Sequence, residues 1–129
     1  MSYVNPKGWA RPSGYNNGVI AQGEILAVAG QIGWNERAEF TSDVFLDQAI
    51  QALRNVVAIV REAGGTPADI VRLTWYVVDK HEYLSCAREL GIAYKEVHEG
   101  HYPAMSLVQV AALLEDRARV EIEAMAVLR

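Results

Sequence analysis

Cysteine is nearly missing from this chain. Cys86 stands alone among 129 residues, so no disulfide closes within the chain, and a lone thiol fits a reducing compartment. Long apolar runs are missing too. None approaches the roughly 18 residues that a membrane span needs, and the opening MSYVNPKGWARPSG has no apolar signal-peptide stretch. These absences predict no membrane partner and a cytoplasmic protein. Basic clusters are also absent. The 12 Lys and Arg are scattered and outnumbered by 16 Asp and Glu, for a net charge of −4. That predicts no nucleic-acid partner, which would call for a basic patch or stripe.

Several chemical signatures are absent as well. There is no GxSxG elbow, and AGQIG is not a phosphate-binding loop. Ser85 and Ser106 have no base nearby in sequence. HEGH spaces His98 and His101 three apart, not at the HExxH interval, and Gly100 should end the helix between them. The two read as surface histidines at a helix end. His81 and Cys86 add no ligand spacing, so no metal is predicted. With no repeat, linker or low-complexity tract, residues 1–129 read as one domain.

What is present is ordinary globular material, 51% hydrophobic and 22% charged. A chain this long buries roughly two thirds of its unfolded surface. Residues 1–17, rich in Pro, Gly and Asn, read as an irregular arm. AQGE suggests a hairpin turn between a short strand near Val19 and a longer one from Ile25 to Ala29. Next, SDVFLDQAIQALRNVVAIVREAGG is a helix with Ser42 as N-cap and Gly64 and Gly65 as its stop. Phe45, Ala49, Leu53, Val56, Val57 and Val60 form its apolar stripe. ADIVRLTWYVVD, dense in β-branched and aromatic residues, predicts a strand. HEYLSCARELGIAYKEVHEG predicts a second helix, and two strands follow, Ser106 to Leu113 and Arg119 to Leu128.

The order β-β-α-β-α-β-β predicts an α+β fold, a mixed sheet of five to six strands with two helices on one face. Strand alternation puts Val71, Leu73, Trp75 and Val77 on one face, and Ile70, Thr74, Tyr76 and Val78 on the other. In the last strand Met125 and Val127 oppose Val120, Ile122, Ala124 and Ala126. The second sheet face is too apolar to be left in water, which predicts a closed homo-oligomer built through the sheets.

One acidic pattern is suggestive. RVEIEAM places Arg119, Glu121 and Glu123 on one strand face. That alternation suits a solvated face with cross-strand ion pairs. Glu123, beside Met125 and Val127, also suits proton transfer, because apolar neighbours favour a neutral carboxyl. GYNNG reads first as turn chemistry, with Tyr15 able to wall a pocket.

The segments SGYNNGV, VAGQIG, QALRNVVAIVREAGGTPADIVRLTWYVVD, YPAMSLVQV and VEIEAMAV occur in order from about Gly14 to Leu128. Together they resemble the RidA/YjgF reactive-intermediate deaminase family, formerly labelled endoribonuclease L-PSP. The resemblance implies a chorismate-mutase-like fold and a homotrimer with helices outside. It implies three intersubunit clefts that hydrolyse small 2-imino or 2-enamino acids to 2-keto acids and ammonia, with no cofactor. It makes Tyr15 the residue that closes the cleft, Gly30 and Gln31 its lining strand end, Leu107 a backbone contact, and Glu123 the group that steers water. Where deaminating members read PARS, this chain reads PAMS. The arginine grips a substrate carboxylate through two parallel hydrogen bonds. Met105 has no donor. Losing one partner of a buried charge pair costs about 3–5 kcal/mol, or about 10²–10⁴ in affinity or rate. Two ways of offsetting that loss remain. Arg11, Arg37 or Arg72 supplies the charge instead, or Met105, Leu107, Tyr102 and Trp34 hold a small-molecule ligand that is apolar or ring-shaped at that end. A non-catalytic binding module is the alternative to an enzyme.

Overall fold

The structure is a computed structural model describing residues 1–129. Its order is β1 (Ser2–Val4), β2 (Gly18–Ile20), β3 (Glu24–Ile32), α1 (Phe45–Glu62), β4 (Ile70–Val77), α2 (Lys80–Ser85), α3 (Ala87–Val97), β5 (Ala104–Gln109) and β6 (Val120–Leu128). The architecture is α+β, as expected, with six strands in two sheets. β3, β6, β4 and β5 form the main sheet in that order, and β1 pairs with β2 in a small one. β6 runs antiparallel to both neighbours, whereas β4 and β5 are parallel. No helix is long and apolar enough to cross a membrane.

Helix α1 forms because its apolar residues recur on one stripe. Phe45, Ala49, Ala52, Leu53, Val56, Val57 and Val60 are all buried. All of these but Val57 meet Leu73, Trp75 and Val77 of β4 and Val120, Ile122, Ala124 and Ala126 of β6 in one core. Each fully buried Leu or Ile there contributes about 1.5–3 kcal/mol. Leu90 and Tyr94 of α3 join the same core, so both long helices cover the same sheet face.

Two buried-side amides on α1 fix the chain around the helix. Gln48 donates to the carbonyls of Ser42 (3.1 Å) and Arg117 (3.0 Å) and accepts from the Arg119 N–H (2.8 Å). Asn55 donates to the carbonyls of Ile32 (3.1 Å) and Trp34 (2.8 Å), which pins the exit of β3. A β-carbon on Gly33 would collide with Gln48, so only glycine lets the chain pass this close to α1.

The structure corrects several expectations. β2 pairs with β1, within the arm expected to be irregular, and not with β3. Ser42 does not cap α1 directly. Its hydroxyl accepts from the Val44 N–H (3.0 Å) and donates to Asp47 (2.8 Å), and the helix starts at Phe45. The second helix breaks at Cys86, whose φ/ψ of −124°/18° is not helical. A bulge between Ile70 and Arg72 resets the alternation, so Ile70, not Val71, is buried beside Leu73. Arg119 leaves the Glu121 and Glu123 face and pairs instead with Glu82 of α2 at 2.6 Å. His98 is fully buried, not a surface residue. Tyr94 closes a helix turn over it and stacks on its ring at 4.5 Å.

Candidate functional site

Met105 sits opposite Leu73 in the parallel β4–β5 register. Leu73 is wholly buried under the helices, so Met105 points to the helix-covered face. There it lines a pocket of about 330 Å³ with Trp75, Tyr83, Leu90, Tyr94 and Tyr102, and with Ser13 and Gly14 of the arm. No charged side chain lines this pocket. Tyr102 stacks on Tyr94 at 5.3 Å, and Tyr83 meets Trp75 edge-on at 6.2 Å. The Tyr94 hydroxyl donates to the His101 carbonyl (2.8 Å), and burial raises its pKa, so the wall stays neutral.

The arm reaches this pocket because Asn16 anchors it. The Asn16 amide donates to the Tyr102 carbonyl (2.6 Å) and its backbone N–H donates to the Pro103 carbonyl (3.0 Å). Asn5 bonds to both Asn16 and Asn17, which ties β1 to the same turn. GYNNG is therefore turn chemistry that also builds a wall. Ser13 and Gly14 line the pocket, while Tyr15 stands beside them, 41% exposed.

Glu123 lies elsewhere. It pairs with Thr74 across β6–β4, and Thr74 pairs with Ser106. These residues alternate with the core, so Glu123 faces the side of the sheet without helices. With Arg72, Thr74, Met125 and Ala27 it lines a second pocket of about 300 Å³. The Tyr76 hydroxyl donates to Glu123 Oε1 at 2.6 Å. That hydrogen bond is the chief reason the Tyr76 pKa is raised, with partial burial and the charges of Glu123 and Glu121 adding to it and Arg72 opposing.

The other expected residues fall in further places. Leu107 is half-buried on the helix side of β5, opposite Trp75. β5 is an edge strand, so its outer backbone has no strand partner. Gly30 is exposed at the β3 bulge, and the room a side chain would take there is filled by the Glu121 carboxylate. Gln31 and Trp34 line a third hollow against Asn55 of α1, where Trp34 packs on Phe40 at 5.8 Å. Of the three arginines, Arg72 alone shares a pocket with Glu123. Its guanidinium has no carboxylate partner and makes one 3.4 Å contact to the Ser106 hydroxyl. Arg11 and Arg37 are exposed and form no ion pair.

Sequence reasoning missed Trp75, Tyr83 and Tyr94 as pocket walls and Tyr76 as the partner of Glu123. One signal was available. Adjacent aromatics in a strand, Trp75 and Tyr76, must serve opposite faces.

The family described as Endoribonuclease L-PSP matches residues 9–128. The chain belongs to the RidA/YjgF family. A RutC family protein from Haemophilus influenzae is 40% identical over 106 residues, covering 81% of this chain and 80% of that one. A 2-iminobutanoate/2-iminopropanoate deaminase from Escherichia coli is 39% identical over 108 residues, covering 83% and 82%. Among solved structures, a Rid family protein of unknown function from Yersinia pestis superposes with a TM-score of 0.83 at 36% identity, covering 98% of each chain. Escherichia coli TdcF with bound serine superposes with a TM-score of 0.72 at 33% identity, covering all of both chains. In this RidA/YjgF chain, the main sheet itself separates Met105 from Glu123.

Proposed function

We propose that the protein is a homotrimer with a small-molecule cleft at each subunit boundary. One copy contributes the Met105 and Tyr102 pocket and its neighbour contributes Glu123. The reasoning is geometric. Met105 and Glu123 project from opposite faces of one sheet, so a cleft holding both needs two copies. The apolar outer face, with Ile25, Ala27, Val108 and Met125 exposed, supports association through the sheets. The ligand-binding relative TdcF, crystallised with serine, supports a small-molecule cleft.

The chemistry we assign is hydrolysis of an imine or enamine tautomer to a carbonyl compound and ammonia. The Glu123 carboxylate takes a proton from water as the water oxygen bonds to the imine carbon. The C=N π pair moves to nitrogen, which takes that proton back from Glu123; Glu123 then carries the hydroxyl proton to nitrogen, the C–O bond becomes double, and the C–N bond breaks to release ammonia. The deaminase name of the Escherichia coli relative supports this reaction class. The observation that supports a particular ligand class is the uncharged pocket around Met105. It offers a neutral, apolar or ring-shaped end of the ligand a place to pack and gives a carboxylate no counter-charge there.

The test is ammonia release from a panel of imines and enamines with and without a carboxylate. Turnover is expected for carboxylate-free members and lost in Glu123→Ala. Activity surviving that substitution removes Glu123 from the mechanism. Preference for carboxylate substrates removes the neutral-ligand reading and points to Arg72, whose loss in Arg72→Ala then abolishes that preference. The lack of an anion grip at Met105 also favours a second reading, a binding module without catalysis. It is established if neutral aromatic ligands bind by calorimetry while no substrate turns over.

A further inference from the structure

Trp75 carries a buried donor that nothing in the chain accepts. The residue is 3% exposed, and its Nε1–H has no hydrogen-bond partner. An indole nitrogen only donates, so it needs an acceptor. Buried tryptophans usually find one, and going without costs free energy. This residue belongs to the wall of the Met105 pocket. Tyr83 meets the indole edge-on and is only half-buried. It sits on α2, none of whose six residues is buried, so it gives way more readily than the core does. Another part of the wall is built from stacked rings. Tyr94 stacks on His98 at 4.5 Å, with 13° between the planes, and on Tyr102 at 5.3 Å, with 25°. His98 and Tyr94 are buried and Tyr102 is half-buried, so Tyr102 is the open end of the stack, and it lines the pocket.

We propose that this pocket takes a planar aromatic ring bearing a neutral hydrogen-bond acceptor, an aryl carbonyl being the simplest case, and that Trp75 is the residue that selects the acceptor. This rests on the reading of the Met105 pocket as the ligand site. The ligand ring extends the stack at Tyr102, in the offset or edge-on packing that aromatic pairs prefer. The acceptor reaches Trp75 Nε1 as Tyr83 withdraws. Met105 adapts to the remaining space. About 330 Å³ accommodates one ring with a short substituent. The acceptor is neutral because no charged side chain lines the pocket. A carboxylate would give up its hydration for a single neutral donor.

The experiment uses three probes. Acetophenone has both features, α-methylstyrene has the same shape without the acceptor, and cyclohexyl methyl ketone has the acceptor without the planar ring. Calorimetry on the parent and on Trp75→Phe gives affinity ratios in which the hydration of the probes cancels. We expect the preference for acetophenone over α-methylstyrene to be about tenfold larger in the parent, as for one buried hydrogen bond. Cyclohexyl methyl ketone should bind the parent about two- to tenfold more weakly than acetophenone. A second readout needs no change at Trp75. In protein carrying 15N-labelled tryptophan, with Trp9 and Trp34 assigned by their own Phe variants, acetophenone should move the Trp75 indole proton downfield. A Trp75 resonance that stays put while acetophenone binds shows that the Tyr83 ring holds the donor, and overturns the inference while the pocket remains the ligand site. A preference unchanged in Trp75→Phe does the same. A cyclohexyl ketone that binds as well as acetophenone overturns the ring requirement. If no probe binds a parent that turns over imines, the inference alone falls. If nothing binds and nothing turns over, the proposed function falls with it.

Discussion

Burial leaves His98 with neither ring nitrogen hydrogen-bonded. Burial first, and His101 second, lower its pKa from 6.5 to about 4. The unfolded chain therefore binds a proton near pH 6.5 that the folded chain takes up only near pH 4. Stability is complete above that window and falls as pH drops through it, by about 3 kcal/mol in all. His98→Phe keeps the stack on Tyr94 and removes the titration, so its melting temperature should decline less steeply between pH 7 and pH 4. Equal slopes for the two proteins would contradict this account. At Met105 the expectation concerns chemistry. Met105→Arg places a guanidinium where the family resemblance implies one. It should raise 2-imino acid turnover by about 10²–10⁴, the inverse of a lost buried charge partner. No gain would mean that the aromatic walls, Trp75 and Tyr102 among them, exclude such substrates by shape.

At the scale of elements, periodic patterns were legible and their interruptions were not. The α1 stripe, the β4 and β6 alternation and the helix stop at Gly64 follow from spacing and glycine chemistry. The β4 bulge does not, because one extra residue in a run such as IVRLTW leaves no mark in composition. The break at Cys86 is equally silent, since LSCAREL reads as continuous helix. β1 went unread because three residues, SYV, carry too little pattern. The candidate site was half legible. Met105 and Glu123 stood out, but their placement on opposite faces depends on strand order and register, which are tertiary facts. Gln48 was invisible for another reason, as a polar residue inside an apolar stripe looks like an error until its partners are seen. Gln48→Leu would leave the Arg119 N–H and two carbonyls without their partner, costing about 2–4 kcal/mol. Urea unfolding measures it, and a change below about 0.5 kcal/mol, the usual range for surface substitutions, would show that water replaces the amide.

At the scale of the whole molecule, one sheet face is roofed by helices and the other is bare. Ile25, 71% exposed, and Met125, 40% exposed, stand on that bare face. If copies associate through it, Ile25→Glu places a charge in a desolvated contact and should shift the protein from trimer to monomer by light scattering. A variant that keeps the parent's mass would put the interface elsewhere.

In the proposed cleft, the sheet that divides Met105 from Glu123 also divides responsibility between molecules. A chain disabled at Tyr102 and another disabled at Glu123 would each be silent alone. Refolded together in equal amounts, they would recover about a quarter of the parent's turnover, because random neighbours reunite two undamaged halves that often.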